Sequence, residues 1–345
     1  MSPAFITGTS KTDSGSIPRI STNWSTFDVW STVKVRWSIG RMKYKVEPGI
    51  YAIGEPDGNS HVFVTANFKL TFDHVRRALH DMNAWLLVLD TRGVNVWCAA
   101  GKGTFSTNEL VRQINLVGLD KLVSHRKVIV PQLGAVGISA HEVKQQTGFS
   151  VLYGPIRAKD IKAFVQRGMK ATMEMRTVEF PVWERIKLIP VELSYGKYYL
   201  LVVPALFILL SGLNPHGYSI DAAFNNGLRA VFNLLVAYLS GLAITPIMLP
   251  WIPFRRFSIK GLIIGWLAAI ILFSFNLMGK NSIEIASWFL MIGGLSSFLA
   301  MNFTGSSTYT SLSGVQKEMK TALPAQIVMA GLGLIAWLAS KFISL

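Results

Sequence analysis

Hydrophobic positions follow two different rhythms along this chain. After Gly196 they gather into five apolar runs, about Lys197–Leu213, Ala222–Met248, Ile259–Met278, Ile283–Ala300 and Leu323–Ile343. Crossing a bilayer core takes roughly 20 residues of helix, and most of these runs come close to that; the first and fourth are the shortest. Tyr198, Tyr199, Trp251, Trp288 and Trp337 mark expected interfaces. The pattern predicts an all-α five-helix transmembrane domain over 197–345.

Ahead of Gly196 the apolar runs are short and alternate with helical patterns. HVFVTA (His61–Ala66), WLLVL (Trp85–Leu89), KVIV (Lys127–Val130) and SVLY (Ser150–Tyr153) read as strands. Phe72–Met82, Thr107–Leu116, His141–Thr147 and Lys159–Gln166 read as helices, with Thr107 as an N-cap. Strands that are apolar throughout, separated by helices, indicate a parallel sheet covered on both faces. Each strand runs into a polar or glycine-bearing turn: TANFK, DTRG, PQLGAVG and YGP. Ligands of open α/β sheets bind at such carboxyl ends. The predicted organisation is a flexible Ser/Thr/Gly-rich lead over 1–24, an α/β domain with a Rossmann-like parallel sheet over 25–192, and the membrane domain.

Composition agrees with this division. The 345 residues are 50% hydrophobic and only 15% charged, with a mean hydropathy of +0.38. The charge is uneven: residues 1–196 carry 25 Lys+Arg against 16 Asp+Glu, a net of +9, whereas 197–345 carry 9 against 3. So few charges cannot solvate a water-soluble domain of that size, which excludes a single soluble globule and argues against buried core helices. Loop basicity sets the expected orientation. Arg255, Arg256, Lys260, Lys317 and Lys320 fall on one side, Lys280 and Lys341 on the other. The α/β domain is thereby expected in the cytoplasm, on a multi-pass protein of the cytoplasmic (inner) membrane. Met1–Arg19 has no apolar core of a signal peptide. Arg229 lies within the second run, as an intramembrane functional charge or as a side chain snorkelling to the interface.

Candidate chemistry centres on the one cysteine, Cys98. A single thiol excludes a disulfide framework, and an iron–sulfur cluster or Cys-type zinc site built by this chain alone. The segment Asn95–Lys102, NVWCAAGK, has three readings beyond a small buried hydrophobe. A phosphate loop fails, because Val96 and Gly103 stand where GxxxxGK[ST] needs Gly and Ser/Thr. A nucleophilic cysteine would need a base, and His61, His74, His80, His125 and His141 carry no signature that supplies one. The third reading is a ligand to the metal of a cofactor.

GVNVWCAAGKGTFSTNEL resembles the cap-helix region of the mercury-methylating corrinoid proteins, whose N(V/I)WC(A/S)AGK motif is matched at every position. VTANFKLTFD (Val64–Asp73), VPQLGAVGISAHEV (Val130–Val143) and GFSVLYGPIRAKDI (Gly148–Ile161) are similar to segments this family shares with the corrinoid-binding domain of the acetyl-CoA-pathway corrinoid iron–sulfur protein. NFTGSSTYTSLSGVQKEM (Asn302–Met319) is similar to a cytoplasmic loop of the family's membrane half, here expected over Asn302–Ala322. Unlike the acetyl-CoA-pathway carrier, this chain cannot hold its own cluster.

The resemblance implies a cobalamin-type corrinoid with methylated cobalt, and Cys98 as catalytic residue, metal ligand and lower axial thiolate. No histidine here has Asp two positions before it, so the DxHxxG mode of lower-ligand replacement is absent. Ala99, Ala100 and Gly101 would let backbone approach the ring. Trp97 would pack on its edge or anchor the loop in the core. Asn95 would fix the turn beside Val96, and Lys102 would meet a corrin carbonyl or phosphate or stay solvated. Thr65, Asn67, Gln132, Gly134, Ala135, Tyr153 and Gly154, on the other strand-end loops, would lie near the corrin. The implied activity is methyl transfer from cobalt to inorganic Hg(II), forming methylmercury, by carbanion or radical transfer. Implied partners are a ferredoxin-like protein with two [4Fe–4S] clusters as electron donor and as possible Hg(II) donor, a methyl-donor methyltransferase, and the lipid bilayer; nucleic acid is not among them. Two alternatives stand: a membrane-anchored corrinoid methyl carrier with another acceptor, and a transporter or sensor with a cytoplasmic α/β ligand domain.

Overall fold

The structure is a computed structural model that describes residues 3–12, 15–306 and 312–343. The chain forms two compact units, one of Met1–Val35 with Ile39–Val178, the other of Arg36–Ser38 with Glu179–Leu345.

The first unit is built on a seven-stranded sheet: β1 (Ile6–Thr12), β2 (Gly15–Ile20), β3 (Gly49–Ile53), β4 (His61–Ala66), β5 (Ala84–Leu89), β6 (Lys127–Val130) and β7 (Ser150–Tyr153), in the spatial order β1-β2-β3-β5-β4-β6-β7. Its helices are α1 (Thr26–Arg36), α2 (Lys69–Ala78), α3 (Val96–Gly101), α4 (Thr107–Leu116), α5 (Leu119–Leu122), α6 (Ala140–Thr147), α7 (Ile161–Gln166) and α8 (Met173–Arg176). The four strands expected from the sequence form a continuous parallel block, β5-β4-β6-β7. Their unbroken apolar runs are explained by burial on both faces. Val62, Val64, Leu87 and Val130 pack with Leu110 and Val143 on one side. Phe63, Leu86 and Ile129 pack with Phe72, Leu79 and Phe164 on the other.

Three expectations are corrected. The sheet is mixed rather than parallel, because β3 runs antiparallel to β5 and β1 antiparallel to β2. The segment 1–24 is not simply a flexible lead: β1 and β2 form a hairpin that extends the sheet beyond β3. β1 is half solvent-exposed and polar, so it carries no apolar signal. Thr107 is the first helical residue of α4 rather than its cap; the Ser106 hydroxyl accepts from the Glu109 amide.

The α1–α2 contact is held by buried charge. Arg76 pairs with Asp73 at 2.8 Å and Asp28 at 2.9 Å, Lys69 bonds the same two carboxylates, and the Arg76 guanidinium donates to the carbonyls of Ser21 and Asn23. Burial pushes the Asp28 carboxyl up, but the Ser25 amide and Lys69 outweigh it and hold it well below the usual 3.8. A depressed carboxyl stabilises the fold above its unfolded pKa, and that contribution is lost as pH falls through the folded value. Denaturation of the α/β unit should therefore be insensitive to this group from neutral pH down to about pH 4 and steepen in stronger acid. Asp28→Asn should flatten that acid slope in a pH series of unfolding curves; an unchanged slope would exclude Asp28 as a source.

The second unit contains α9 (Val182–Ile186), α10 (Ile189–Tyr195), α11 (Tyr199–Ser211), a small hairpin of β8 (Leu213–Asn214) and β9 (Gly217–Tyr218), α12 (Ile220–Leu239), a π turn over Ser240–Ile244, α13 (Thr245–Met248), α14 (Phe257–Ser274), α15 (Ser282–Asn302) and α16 (Leu312–Ala339). Four stretches are long and apolar enough to cross a bilayer: Ile220–Met248, Phe257–Ser274, Ser282–Asn302 and Ser313–Ala339. The first expected run gives only the 13-residue α11, which reaches spanning length when joined to Val182–Tyr195 across a 58° bend.

Three readings of this half change. Much of the expected Asn302–Ala322 loop is helical, since α16 starts at Leu312; residues 307–311 lie outside the described residues. Lys260, counted as a loop base, lies in α14 and is buried, its ammonium donating to the carbonyls of Leu249 and Ile252. Arg229 pairs with buried Glu284 at 3.1 Å, and Lys341 binds the same carboxylate at 3.2 Å. In a weakly polar interior a paired charge is far cheaper than a bare one.

Candidate functional site

The parallel block fixes where a ligand can enter. The chain passes from β4 to β5 on one side and then returns to β6 on the other, so the strand order reverses between β4 and β6. Loops leaving the carboxyl ends of two such strands diverge and leave a crevice. A groove of about 320 Å³ lies there, lined by Thr65 of β4, Thr71 and His74 of α2, Pro131 and Leu133 after β6, and Gly154 to Ile156 after β7, and closed by Asn95, Val96 and Trp97. Its walls are mostly apolar. Thr65 is fully buried, and among the described residues its hydroxyl has no hydrogen-bond partner; nor has the Gln132 side-chain carbonyl on the β6 loop.

The helix that carries Cys98 is positioned from below. Asn67, nearly fully buried, uses both ends of its amide on the turn after β5. Its Nδ2 donates to Asp90 at 3.0 Å, and its Oδ1 accepts from the Thr91 amide, the Thr91 hydroxyl and the Gly93 amide at 2.9–3.1 Å. Glu109 adds a bond from the Asp90 amide at 2.9 Å. Burial raises the Glu109 carboxyl, but Arg112 and the Asp90 amide together hold it below its ordinary range. The chain then turns into α3, where the Asn95 side-chain Oδ1 accepts from the Cys98 amide at 2.9 Å. This cap fixes the first turn, as expected for Asn95.

Within α3 the residues divide by face. Val96, Ala99 and Ala100 turn into the core, whereas Trp97 and Cys98 are exposed. The two alanines are small because they pack inward, over Phe105 and the Gly137 backbone, rather than because ring and backbone must meet on their side. Trp97 lines the groove and is 47% exposed, so it does not anchor the loop in the core. Gly101 and the C-cap Lys102 are solvent-exposed.

The other expected residues separate as well. Thr65 and Gly154 line the groove. Gln132, Gly134 and Ala135 form a short turn beside it, and Gly134 lies directly on the Phe105 ring, where a methyl would not fit. Asn67 is committed to the turn after β5, and the Tyr153 hydroxyl donates to the Ile138 carbonyl at 2.8 Å, so both support the loops rather than line the groove. Thr71 and His74 also line the groove; they sit on α2, whose sequence reads only as a helix and carries no ligand signal. No cluster of three or more His, Cys, Asp or Glu that could hold a metal occurs among the described residues.

Gly137 offers a separate test of the support. A Cβ there would collide with the Phe105 carbonyl and approach the Ala100 Cα at 3.3 Å. Gly137→Ala should cost about 1–3 kcal/mol and displace α3. Chemical denaturation together with labelling of Cys98 by a thiol reagent should show both changes; wild-type values for both would mean that the loop has slack.

Comparison with known proteins matches this unit. The family described as CO dehydrogenase/acetyl-CoA synthase delta subunit matches residues 27–165. The acetyl-CoA decarbonylase/synthase complex subunit gamma of Methanopyrus kandleri is 32% identical over 146 residues, 42% of this chain and 31% of that protein. The subunit of the same name from Archaeoglobus fulgidus is 33% identical, over 40% of this chain and 30% of its own. The corrinoid/iron-sulfur protein large subunit of Moorella thermoacetica is 32% identical over 127 residues, 36% of this chain and 28% of that protein. The chain spans about a third of the length of these relatives. Its α/β unit is thus similar to subunits of acetyl-CoA decarbonylase/synthase complexes and to the large subunit of a corrinoid/iron-sulfur protein.

Proposed function

We propose that the α/β unit binds a corrinoid at the β4/β6 groove and that the protein transfers a methyl group to inorganic Hg(II). The observation that carries this reading is the presentation of Cys98, exposed on a capped helix whose neighbour Trp97 lines the groove. The residues present fit the cofactor. The unpartnered Thr65 hydroxyl and Gln132 carbonyl are groups that amides on a corrin rim could satisfy, and the apolar walls suit the flank of a macrocycle. A corrinoid held here would supply methyl-transfer chemistry, and a thiolate donor such as Cys98 would suit transfer to a soft electrophile such as Hg(II). The chain's own contribution is placement. Cys98 would hold the metal, Asn95 fixes the turn that presents it, and Asn67 fixes the loop that presents Asn95. Trp97 excludes water from one flank of the groove.

The rest of the assignment follows from this reading. The chain has one cysteine, so electrons come from outside, from a ferredoxin-like protein with two [4Fe–4S] clusters, and a separate methyltransferase supplies the methyl group. Hg(II) arrives bound to sulfur of that ferredoxin-like partner or of a small thiol, because Cys98 is committed to cobalt. The apolar helices anchor the protein in the cytoplasmic membrane with the α/β unit in the cytoplasm. The test uses the full chain loaded with corrinoid. Its visible spectrum should report sulfur ligation, and the methylated protein should convert Hg(II) to methylmercury. Cys98→His should still bind corrinoid but methylate poorly; equal activity would end the thiolate argument. The similarity to acetyl-CoA-complex subunits favours a second reading, a corrinoid methyl carrier with another acceptor. Sulfur ligation without methylmercury would select it.

A further inference from the structure

We propose that α1 and the turn after it form a lipid-docking surface that rests on anionic headgroups, separate from the apolar helices of the second unit. α1 buries Asp28, Thr32 and Val35 and leaves the opposite face bare. On that face Phe27, Trp30 and Val33 follow one another at helical spacing, and Ile39 and Met42 continue the surface past the helix end. Trp30 is 66% exposed and Met42 82%. Large aromatic and aliphatic side chains on one face of a surface helix, rimmed by basic residues, are the pattern of a helix lying in a membrane interface.

The charge around this face selects the occupant. Lys34, Lys43 and Lys45 are exposed beside it, and Arg41 is half-buried over the Phe68 ring. The one acid of α1, Asp28, is turned inward and paired with Lys69 and Arg76. The face therefore presents apolar bulk and uncompensated positive charge together, which matches the anionic surface of a bilayer and not an acid-poor protein patch. A chain that runs on into apolar helices after residue 196 would hold this surface at high local lipid concentration.

The test uses the full chain with Cys98→Ser, spin-labelled at Trp30→Cys or, in a second protein, at Met42→Cys, in vesicles of phosphatidylcholine alone or with phosphatidylglycerol. Both sites are exposed, so neither label disturbs the core. With phosphatidylglycerol the labels should lose collisions with an aqueous nickel reagent and gain them with oxygen. Labels open to the aqueous reagent in both vesicles would overturn the proposal. Protection from both reagents would mean that protein covers the face, and equal insertion in neutral lipid would remove the charge argument; either overturns it. Alkaline carbonate extraction of the same samples reports insertion of the apolar helices independently, so the two readings fail separately.

Discussion

Cys98→Ala is expected to reduce methylmercury formation to background while leaving the fold intact. The side chain is exposed on α3 and supports no core contact, so its loss should change stability by no more than about 0.5 kcal/mol. Asn95 still caps the helix through a backbone amide that alanine retains. Corrinoid binding should persist, because the groove walls are unchanged, while the visible spectrum loses its sulfur-ligated signature. Mass-spectrometric assay of methylmercury, with cofactor stoichiometry measured on the same preparation, checks both halves. Wild-type turnover in the variant would show that Cys98 does not act on the metal.

Asn67→Ala carries the largest stability effect expected near the site. It removes four hydrogen bonds at once and leaves the Thr91 and Gly93 amides without their acceptor, while the Asp90 carboxylate keeps only the Arg92 amide of its two donors. An unsatisfied buried group costs about 1–3 kcal/mol, and partial access of water to this turn brings the expected sum to about 3 kcal/mol. The damage should be local. Hydrogen exchange should accelerate over residues 90–101, which includes all of α3, before the sheet is affected. The thermal midpoint of the unit should fall by roughly 6–12 °C. Unaltered exchange in α3 would mean that the helix is positioned from elsewhere.

The parallel strands were legible because burial on both faces writes itself into the sequence as unbroken apolar runs. HVFVTA, KVIV and SVLY are strands to the residue, and β5 begins one residue before WLLVL. The hairpin of β1 and β2 was not, since an edge that faces water needs no hydrophobic residues and Ile6–Thr12 has the composition of a loop. The six residues of α3 are too few to show a period, so the Cys98 segment read as a loop around a motif. Asn67 looked like a ligand residue because it follows a strand; its partners lie 23–26 positions away, where spacing cannot reveal them. Arg229 likewise finds Glu284 only in three dimensions, 55 positions on. Local features were readable and pairings between distant polar groups were not, and the supports of the site are mostly of the second kind.

Before a metal covers it, an exposed thiol with no companion in the sequence also fixes how this protein ages in air. A first oxidation of Cys98 gives a sulfenic acid, which a neighbouring cysteine would normally trap as a reversible disulfide. Here there is no second sulfhydryl in the chain to do so. The damaged sulfur must be rescued by a thiol on another molecule, or it passes on to sulfinic acid and is lost. Loss of function on exposure to peroxide should therefore be single-hit and permanent unless a small thiol is supplied, which makes the surrounding redox buffer a working component of the protein.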